Sequence, residues 1–138
     1  MIFDGFIFKN GYVLVVGNNE YDLHNDYDWV DCSFDSDEAC ARILLRRSSG
    51  DGAGRSQPAS FELQFCGVTR FISREGDPAL ASDSQTAAFV GFLFPDNVEC
   101  MDGYLDEQTE EGQDFIVCME DSSAFKIHAA EVILNPGA

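Results

Sequence analysis

The sequence predicts a mainly β fold, either an antiparallel sandwich or a partly open barrel of about eight strands, with at most one or two short helices. Most segments alternate apolar and polar residues, which is the pattern of strands with one buried face. Short polar stretches rich in Gly, Asn, Asp and Ser separate these segments, as turns between antiparallel strands do. The chain has 138 residues, so we expect a single domain spanning residues 1–138.

The composition is that of a folded but strongly acidic protein. Hydrophobic residues make up 45% of the chain and include 12 Phe, which is too apolar for a disordered acidic chain. The 25 Asp and Glu residues outnumber the 8 Lys and Arg residues, so the formal net charge is −17. Binding to nucleic acid or to an anionic membrane requires clustered basic residues, so we expect neither.

The clearest local prediction is a hairpin with its turn at Lys9-Asn10-Gly11. Apolar runs at residues 2–8 and 12–16 lie on either side of this turn. Asn-Gly readily adopts the positive φ angles of a type I′ turn, which is a common connection between antiparallel strands. Residues 2–8 are therefore predicted to form one continuous strand that pairs with residues 12–16.

Residues 29–47 predict a second pair of strands, with one ambiguity. Residues 29–34 alternate, which predicts a strand with Trp29 and Cys32 on opposite faces. Residues 35–47 fit two interpretations. Asp35 and the glutamate three positions later are a capping pair that suits a helix. Alternation further on suits a strand, with the acidic residues at the hairpin tip, and we favour the strand.

The rest of the chain continues the same pattern. A Ser-, Gly- and Pro-rich stretch at residues 48–59 predicts a mobile loop, and Gly67 predicts a bend or bulge. The unbroken apolar run at residues 87–94 predicts a strand buried on both faces or at the centre of a sheet. Polar connections are predicted at residues 75–85 and 96–113. Further strands are predicted at residues 61–65, 68–73, 115–119 and 124–134.

The N-terminus and the cysteines predict a cytoplasmic protein with reduced thiols. The first residues lack the basic and apolar regions of a signal peptide, and no apolar run approaches the roughly 20 residues that span a membrane. The five cysteines are odd in number and widely spaced, with no Cys-x-x-Cys motif. A secreted disulfide framework is usually even in number and denser.

The charge is distributed unevenly along the chain. Residues 1–41 carry a net charge of −8, residues 42–74 carry +4 and residues 75–138 carry −13. The acidic residues are concentrated in two clusters, at residues 20–38 and 99–114, and aromatic residues lie among them. We expect the arginines of the middle segment to pair with the acidic flanks.

The acidic clusters have two interpretations. One is a solvated face that keeps the protein soluble. The other is an anionic docking surface for a basic protein partner, with Tyr side chains as anchors of the interface. On the second interpretation, the predicted partner-binding residues are Asp22, Asp26, Tyr27, Asp28, Asp102, Tyr104, Asp106, Glu107, Glu110 and Glu111.

No sequence motif predicts catalysis, a metal or a cofactor. The chain contains no P-loop, no Gly-x-Ser-x-Gly and no His-Glu-x-x-His motif. His24 lies between acidic residues, but this segment lacks the Gly and the terminal Glu of a calcium loop. His128 lies in a strand pattern, where a structural histidine is expected. We therefore predict a non-enzymatic protein with no catalytic residues, no metal site and no cofactor.

Two segments resemble those of a known group of proteins. Residues 29–34 read Trp-Val-Asp-Cys-Ser-Phe, and residues 61–71 contain a Phe-x-Leu-x-Phe-x-Gly-Val strand. The pattern resembles small acidic immunity proteins of bacterial polymorphic-toxin and contact-dependent inhibition systems. The resemblance implies a cytosolic protein that binds a cognate toxin domain, often a basic nuclease, and blocks its active site. Immunity surfaces match their own toxins individually, so the resemblance assigns no functional residue.

These observations together predict an immunity or inhibitor protein that neutralises a basic protein partner and is itself a monomer or weak dimer. The alternatives are a structural or assembly subunit that pairs through edge strands, as in a phage or secretion apparatus, and a small ligand-binding β-barrel. The barrel interpretation would require a pocket in which a histidine lies beside a cysteine or a carboxylate.

Overall fold

The computed structural model describes residues 1–48, 57–94 and 103–137. Within these residues the chain forms twelve strands and one short 3-10 helix, Pro78–Asp83. The strands are β1 Ile2–Phe3, β2 Ile7–Lys9, β3 Val13–Val16, β4 Asn19–Asp22, β5 Tyr27–Asp35, β6 Cys40–Arg47, β7 Ser60–Cys66, β8 Arg70–Arg74, β9 Ala87–Leu93, β10 Asp114–Met119, β11 Ala124–His128 and β12 Glu131–Gly137.

The strands form three sheets. The five-stranded sheet has the order β1-β12-β7-β6-β5, the four-stranded sheet has the order β8-β11-β10-β9, and β2-β3-β4 form a smaller sheet. The inner faces of the two larger sheets share one hydrophobic core, to which the smaller sheet adds Phe8 and Leu14. The predicted mainly β, sandwich-type fold is confirmed, and the sheets do not close into a barrel. The described strands outnumber the predicted eight because two predicted strands, at residues 2–8 and 124–134, are divided and because β4 was not predicted.

Alternation in β6 and β7 explains how the five-stranded sheet buries one face. Every second residue points into the core, and the residues between them face outward. The strand interpretation of the β6 segment is confirmed, and residues 36–39 form the turn before it. The inward residues, each at most 1% exposed, are Ala41, Ile43, Leu45, Phe61, Leu63 and Phe65.

The predicted hairpin between β2 and β3 is confirmed. Asn10 and Gly11 have φ angles of 57° and 76°, and the Tyr12 N–H donates to the Lys9 carbonyl at 3.4 Å. The prediction of one continuous strand before this turn is wrong, because Gly5 has a φ of 82° and interrupts it. The two halves join different sheets, and β1 pairs in parallel with β12. The expected antiparallel arrangement therefore fails at this pair.

The predicted faces of β5 are also corrected. The register of β5 against β6 shifts between Trp29 and Asp31, so Val30 is an extra residue in the ladder. Such a bulge changes which side chains point inward beyond it. Trp29 lies in the core, and Cys32 packs against the same core. The two side chains therefore share a face instead of lying on opposite faces.

Of two predictions about the C-terminal half of the chain, the first is confirmed in one of its two alternatives and the second is wrong. The run at residues 87–94 contains buried residues on both faces, but β9 is the last strand of its sheet instead of its centre. Its free edge is partly covered, because the Val90 N–H donates to the Gly11 carbonyl at 2.7 Å and Phe92 forms a β-bridge with Leu105. The predicted strand at residues 124–134 divides into β11 and β12, which lie in different sheets.

The polar connections are described only in part. The 75–85 connection contains the 3-10 helix, and the Asp77 side chain caps this helix by accepting from the Ala79 N–H at 2.9 Å. Most of the loop predicted at residues 48–59, and the first part of the acidic connection that follows β9, lie outside the described residues. None of the helical segments in the described ranges has the length and apolar character needed to cross a membrane.

We predict that Gly11→Ala destabilises the fold more than Gly5→Ala. Both glycines have positive φ, which costs an alanine about 1–2 kcal/mol. A Cβ on Gly11 would also lie 2.8 and 2.9 Å from two carbons of the Phe89 ring, whereas a Cβ on Gly5 meets nothing within 4 Å. We expect the free energy of unfolding from urea titration to fall by about 1–2 kcal/mol for Gly5→Ala and by about 2–4 kcal/mol for Gly11→Ala. Equal losses would show that the turn does not pack against β9.

Candidate functional site

The hairpin between β2 and β3 places an exposed tyrosine at the edge of the sandwich. Hydrogen bonds hold the hairpin there, because the Gly11 carbonyl accepts from the Val90 N–H at 2.7 Å and the Tyr12 carbonyl accepts from the Leu23 N–H at 2.8 Å. The Tyr12 side chain itself is not enclosed, and the residue is 44% exposed. A large aromatic side chain is thus fixed at its backbone and accessible at its ring.

Tyr12 borders an open depression of about 400 Å³ with acidic walls. His24 lies in it with Nδ1 2.5 Å from the Ala87 carbonyl oxygen and 3.7 Å from Glu120 Oε1. A carbonyl oxygen only accepts, so Nδ1 carries a proton and donates to it. The lining residues are Tyr12, Asp22, His24, Asn25, Ala88 and Glu120.

The carboxylate of Asp22 shapes this depression by capping the loop after β4. It accepts hydrogen bonds from the His24 and Asn25 N–H groups, each at 2.9 Å, and from Asn25 Nδ2 at 2.8 Å. Burial raises the pKa of this carboxyl, but the hydrogen bonds from Asn25 and His24 together lower it by more than burial raises it. The pKa of Asp22 therefore lies below the ordinary 3.8. Asp22 is therefore a charged group with a structural role.

The second acidic cluster approaches the same hairpin from its other side. Asp106 Oδ1 lies 3.7 Å from the position that a Cβ on Gly11 would occupy. The segment that carries Asp106 is fixed by the Leu105 bridge to Phe92. The two clusters, which are far apart in sequence, thus meet at the β2–β3 turn. We call this region the Tyr12 surface and define it as Tyr12, Asp22, His24, Asp106 and Glu120.

The other predicted acidic residues differ in exposure and in hydrogen bonding. Glu107, Glu110 and Glu111 are exposed in the 103–113 segment. Asp26 is half-buried and accepts from Gln57 Nε2 at 3.4 Å, and Asp28 is half-buried opposite Arg46 in the β5–β6 pair. Asp102 lies outside the described residues.

The two tyrosines predicted as partner anchors are not free surface residues. Tyr27 is fully buried, and its hydroxyl donates to the Pro58 carbonyl at 2.8 Å. Burial, with Tyr21 nearby, raises the pKa of Tyr27 to about 12. Tyr104 is half-buried, with its ring 4.6 Å from that of Phe89, and its hydroxyl accepts from the Cys118 thiol at 3.1 Å.

Sequence reasoning missed Tyr12 and Glu120, which border the depression. Tyr12 directly follows the Asn-Gly turn, and this position was the only available signal that it lies at a hairpin tip. Glu120 follows β10 and is more than 100 residues away along the chain. Its proximity to Tyr12 depends on how the small sheet packs on β9, which no local pattern specifies.

The exposed carboxylates of the second cluster form no ion pair with the basic side chains of the described residues. These acids are Asp106, Glu107, Glu110 and Glu111. Within residues 1–48, 57–94 and 103–137, no Lys, Arg or His nitrogen lies within 4.0 Å of their carboxylate oxygens. The expected pairing of arginines with the acidic flanks is confirmed for Arg70, which binds Asp114. Arg74 Nε donates instead to the Ser122 carbonyl at 2.9 Å.

A buried ion cluster lies on the outer face of the four-stranded sheet. The Asp114 carboxylate is fully buried and accepts from Arg70 Nη2 at 2.8 and 3.0 Å. His128 Nδ1 lies 2.7 Å from Asp114 Oδ1, and Lys126 Nζ lies 3.5 Å from Oδ2. Register explains the grouping, because His128 pairs with Arg70 across β11 and β8, and Phe115 pairs with Ile127, which places the adjacent Asp114 next to His128.

Within the described residues, this cluster lacks the nucleophile that a catalytic histidine requires. A carboxylate bound to a histidine Nδ1 orients imidazoles in hydrolases, but a nucleophile must then lie within hydrogen-bond reach of the ring. The hydrogen bonds recorded for the His128 side chain in the described ranges go to Asp114 alone. The cluster fits a structural role, in which three basic groups compensate one buried charge.

A second depression, of about 250 Å³, lies between β5 and the ends of β10 and β11. It is smaller than the roughly 300–1,000 Å³ of typical small-molecule sites. Cys32 lies in its wall, and burial, with Asp31 nearby, raises the pKa of this thiol to about 12. The lining residues are Trp29, Val30, Asp31, Cys32, Ile43, Ser84, Gln85, Met119, Ser123 and Phe125.

Within the described ranges, no group of three or more His, Cys, Asp and Glu side chains is arranged to hold a metal ion. Comparison with known proteins found no family model, no curated protein and no solved structure that matches the chain.

We predict that Asp114→Asn destabilises the protein strongly, whereas Asp106→Asn does not. Loss of the buried carboxylate charge leaves Arg70 and Lys126 close together without the counter-charge of Asp114, and breaking such a buried pair costs about 3–5 kcal/mol. Asp106 is exposed, so its substitution changes the free energy of unfolding by less than about 0.5 kcal/mol. Chemical denaturation of both variants at neutral pH measures the difference. Similar values would contradict the structural role of the cluster.

Proposed function

We propose that this protein is a non-enzymatic binding protein, of the immunity or inhibitor type, that docks on a basic protein partner and neutralises it. The Tyr12 surface is the contact region. The partner class that the sequence resemblance implies is a toxin domain, such as a basic nuclease. The proposal names no ligand, metal or cofactor, since binding alone blocks the partner.

The observation that carries the proposal is an accessible aromatic ring in an acidic setting where, among the described residues, no Lys or Arg side chain pairs with the carboxylates. Tyr12 is 44% exposed beside Asp22 and Glu120, and the neighbouring carboxylates of residues 106–111 have no ion-pair partner in the described chain. Tyrosine is common at the centres of interfaces, where it contributes both apolar area and a hydrogen bond. Surrounding negative charge steers a basic partner and accelerates association.

The depression is better suited to a protein contact than to a small ligand. It is shallow and open, and its charged lining is exposed: the side chains of His24 and Glu120 are 37% and 41% accessible. Small-molecule sites are mostly apolar and enclose most of the ligand. A protruding basic side chain of a partner would fit between Asp22 and Glu120 without needing enclosure.

A second candidate function is supported by the edge of the five-stranded sheet. Beyond the Trp29 N–H, which donates to the Gln85 carbonyl at 2.8 Å, the outer edge of β5 has no backbone partner in the described chain. An edge of this kind can add a strand from a neighbouring subunit, as an assembly protein would require. Light scattering after size exclusion distinguishes the candidates: an inhibitor is a monomer or weak dimer, and an assembly subunit is a stable oligomer at micromolar concentration.

We predict that Glu120→Lys weakens partner binding much more than Asp37→Lys. Both substitutions change the net charge by the same amount and both sites are exposed, but Asp37 lies in the β5–β6 turn, away from the Tyr12 surface. The probe is the basic protein retained at low salt by the immobilised wild-type chain from an extract of the source cells, then purified. We expect about a tenfold or greater increase in Kd for Glu120→Lys and less than about threefold for Asp37→Lys.

A salt series on the same purified partner tests the electrostatic part of the proposal. The association rate is expected to fall steeply between about 0.05 and 0.5 M salt. An association rate that is independent of salt would overturn electrostatic docking. Equal effects of the two substitutions would overturn the assignment of the Tyr12 surface. If the partner is an enzyme, the wild-type chain must inhibit it at stoichiometric concentration and Glu120→Lys must inhibit it less.

A further inference from the structure

Two cysteines that are distant in sequence are direct neighbours in the five-stranded sheet. Cys40 at the start of β6 is paired with Cys66 at the end of β7, and both are free thiols. Their side chains share the outer face of the sheet, because the adjacent Ala41 and Phe65 are buried and point inward. Both cysteines are partly exposed, so small reagents can approach them.

The hydrogen-bond pattern shows which kind of cross-strand pair this is. The Cys66 carbonyl accepts from the Ala130 N–H at 3.1 Å, on the side of β7 that faces away from Cys40. The Ala39 carbonyl, one residue before Cys40, accepts from the Val68 N–H at 2.8 Å and so points toward the β7 side. Because successive residues of a strand bond to opposite sides, Cys40 and Cys66 form a non-hydrogen-bonded pair.

This pair type has the spacing that a disulfide requires. In non-hydrogen-bonded antiparallel pairs the two Cα atoms lie about 4.5 Å apart, closer than in hydrogen-bonded pairs. Disulfides join Cα atoms separated by about 4.4–6.8 Å. The side chains of such a pair also leave the sheet on the same face, so the sulfurs can meet by side-chain rotation without a change of register.

The surroundings of the pair permit slow thiol chemistry. Gln64 Nε2 donates to Cys40 Sγ at 3.8 Å. Burial, with Cys40 and Glu131 nearby, raises the pKa of the Cys66 thiol, and Arg42 acts in the opposite direction. Because the thiolate is the attacking species, reaction at this site accelerates as the pH rises.

We propose that Cys40 and Cys66 are a reversible disulfide pair that closes by exchange with a low-molecular-weight disulfide such as glutathione disulfide. One protein thiolate attacks a sulfur of glutathione disulfide, which forms a mixed disulfide and releases one glutathione thiolate. The second protein thiolate then attacks the protein sulfur of the mixed disulfide and releases the other. Two electrons pass from the protein to glutathione, and the two protons lost by the cysteines are taken up by the two released thiolates.

Closure changes stability at a defined place in the fold. The bond joins β6 to β7 beside the turn at residues 36–39, and it encloses residues 41–65, including the long connection between the two strands. A closed loop of about 25 residues restricts the unfolded chain and raises Tm by about 10 °C. This inference does not depend on the proposed partner, since it concerns a different face and requires no binding.

The test is to treat the reduced, folded full chain with glutathione disulfide and follow mass, disulfide connectivity and Tm. We expect a loss of about 2 Da, a Cys40–Cys66 cross-linked peptide in the non-reducing digest, and a rise in Tm that dithiothreitol reverses. Cys40→Ser and Cys66→Ser should each stop at a glutathione adduct of about 305 Da, with no rise in Tm. Cys32→Ser is the matched control and should behave as the wild type, because burial raises the pKa of the Cys32 thiol to about 12 and so leaves little reactive thiolate.

Three outcomes would overturn the proposal. The first is the absence of the cross-linked peptide after prolonged treatment of the folded protein at pH 8. The second is a cross-link that forms only in urea, which would show that the native spacing does not permit it. The third is a dominant cross-link that survives in both Cys40→Ser and Cys66→Ser but is lost in Cys100→Ser, which would assign the reactive pair elsewhere.

Discussion

The fold depends on one aromatic contact group centred on Phe115. This side chain is fully buried in β10, and its ring centroid lies 5.3 Å from those of both Phe8 in the small sheet and Phe65 in the five-stranded sheet. Phe92, in the neighbouring strand β9, is 6.2 Å away. One side chain thus joins all three sheets, and tilted ring pairs of this kind contribute about 0.5–1.5 kcal/mol each beyond their buried area. The position of the β2–β3 hairpin, and with it the exposed Tyr12, follows from this packing because Phe8 lies at the start of that hairpin.

Among the described residues, the buried charged side chains are those of Asp114, Lys126 and Asp121, and both carboxylates have hydrogen-bond donors or basic groups beside them. Asp114 is surrounded by Arg70, Lys126 and His128. Asp121 accepts from the hydroxyl and the N–H of Ser123 at 2.5 and 2.9 Å, and these hydrogen bonds lower its pKa below the ordinary 3.8. A carboxyl with a depressed folded-state pKa stabilises the fold above its unfolded pKa, and this contribution is lost as the pH falls through the folded value. The remaining acidity raises the energy of the compact state by repulsion, which the basic partner that we propose would relieve.

The sequence predicted what depends on local pattern and missed what depends on register and packing. The Asn10-Gly11 turn and the alternation in β7 follow from φ preference and side-chain period, and both are present. The bulge at Val30 was not predictable, since one extra residue in a ladder leaves no mark on composition and shifts every side chain beyond it. The pairing of Cys40 with Cys66 was hidden for the same reason, because two distant cysteines become neighbours only through the register of β6 against β7. The burial of Tyr27 shows that an aromatic among carboxylates fits a half-buried strand as well as a binding surface.

The two acidic regions of the surface differ in the structural role that their negative charge can have. The charges on β5, such as Asp31 and Asp35, lie on a strand whose outer edge is largely unpaired, and charged residues there suppress unwanted strand addition. That requirement explains them without any partner. The edge of β9 needs no such protection, because the Gly11 carbonyl and the Leu105 bridge already occupy part of it. Asp106 and Glu120 lie outside the described strands, so edge protection does not explain them, and Glu120 lies beside the exposed ring of Tyr12. For this reason we propose the Tyr12 surface, and not the more continuous row of acids on β5, as the site of partner recognition.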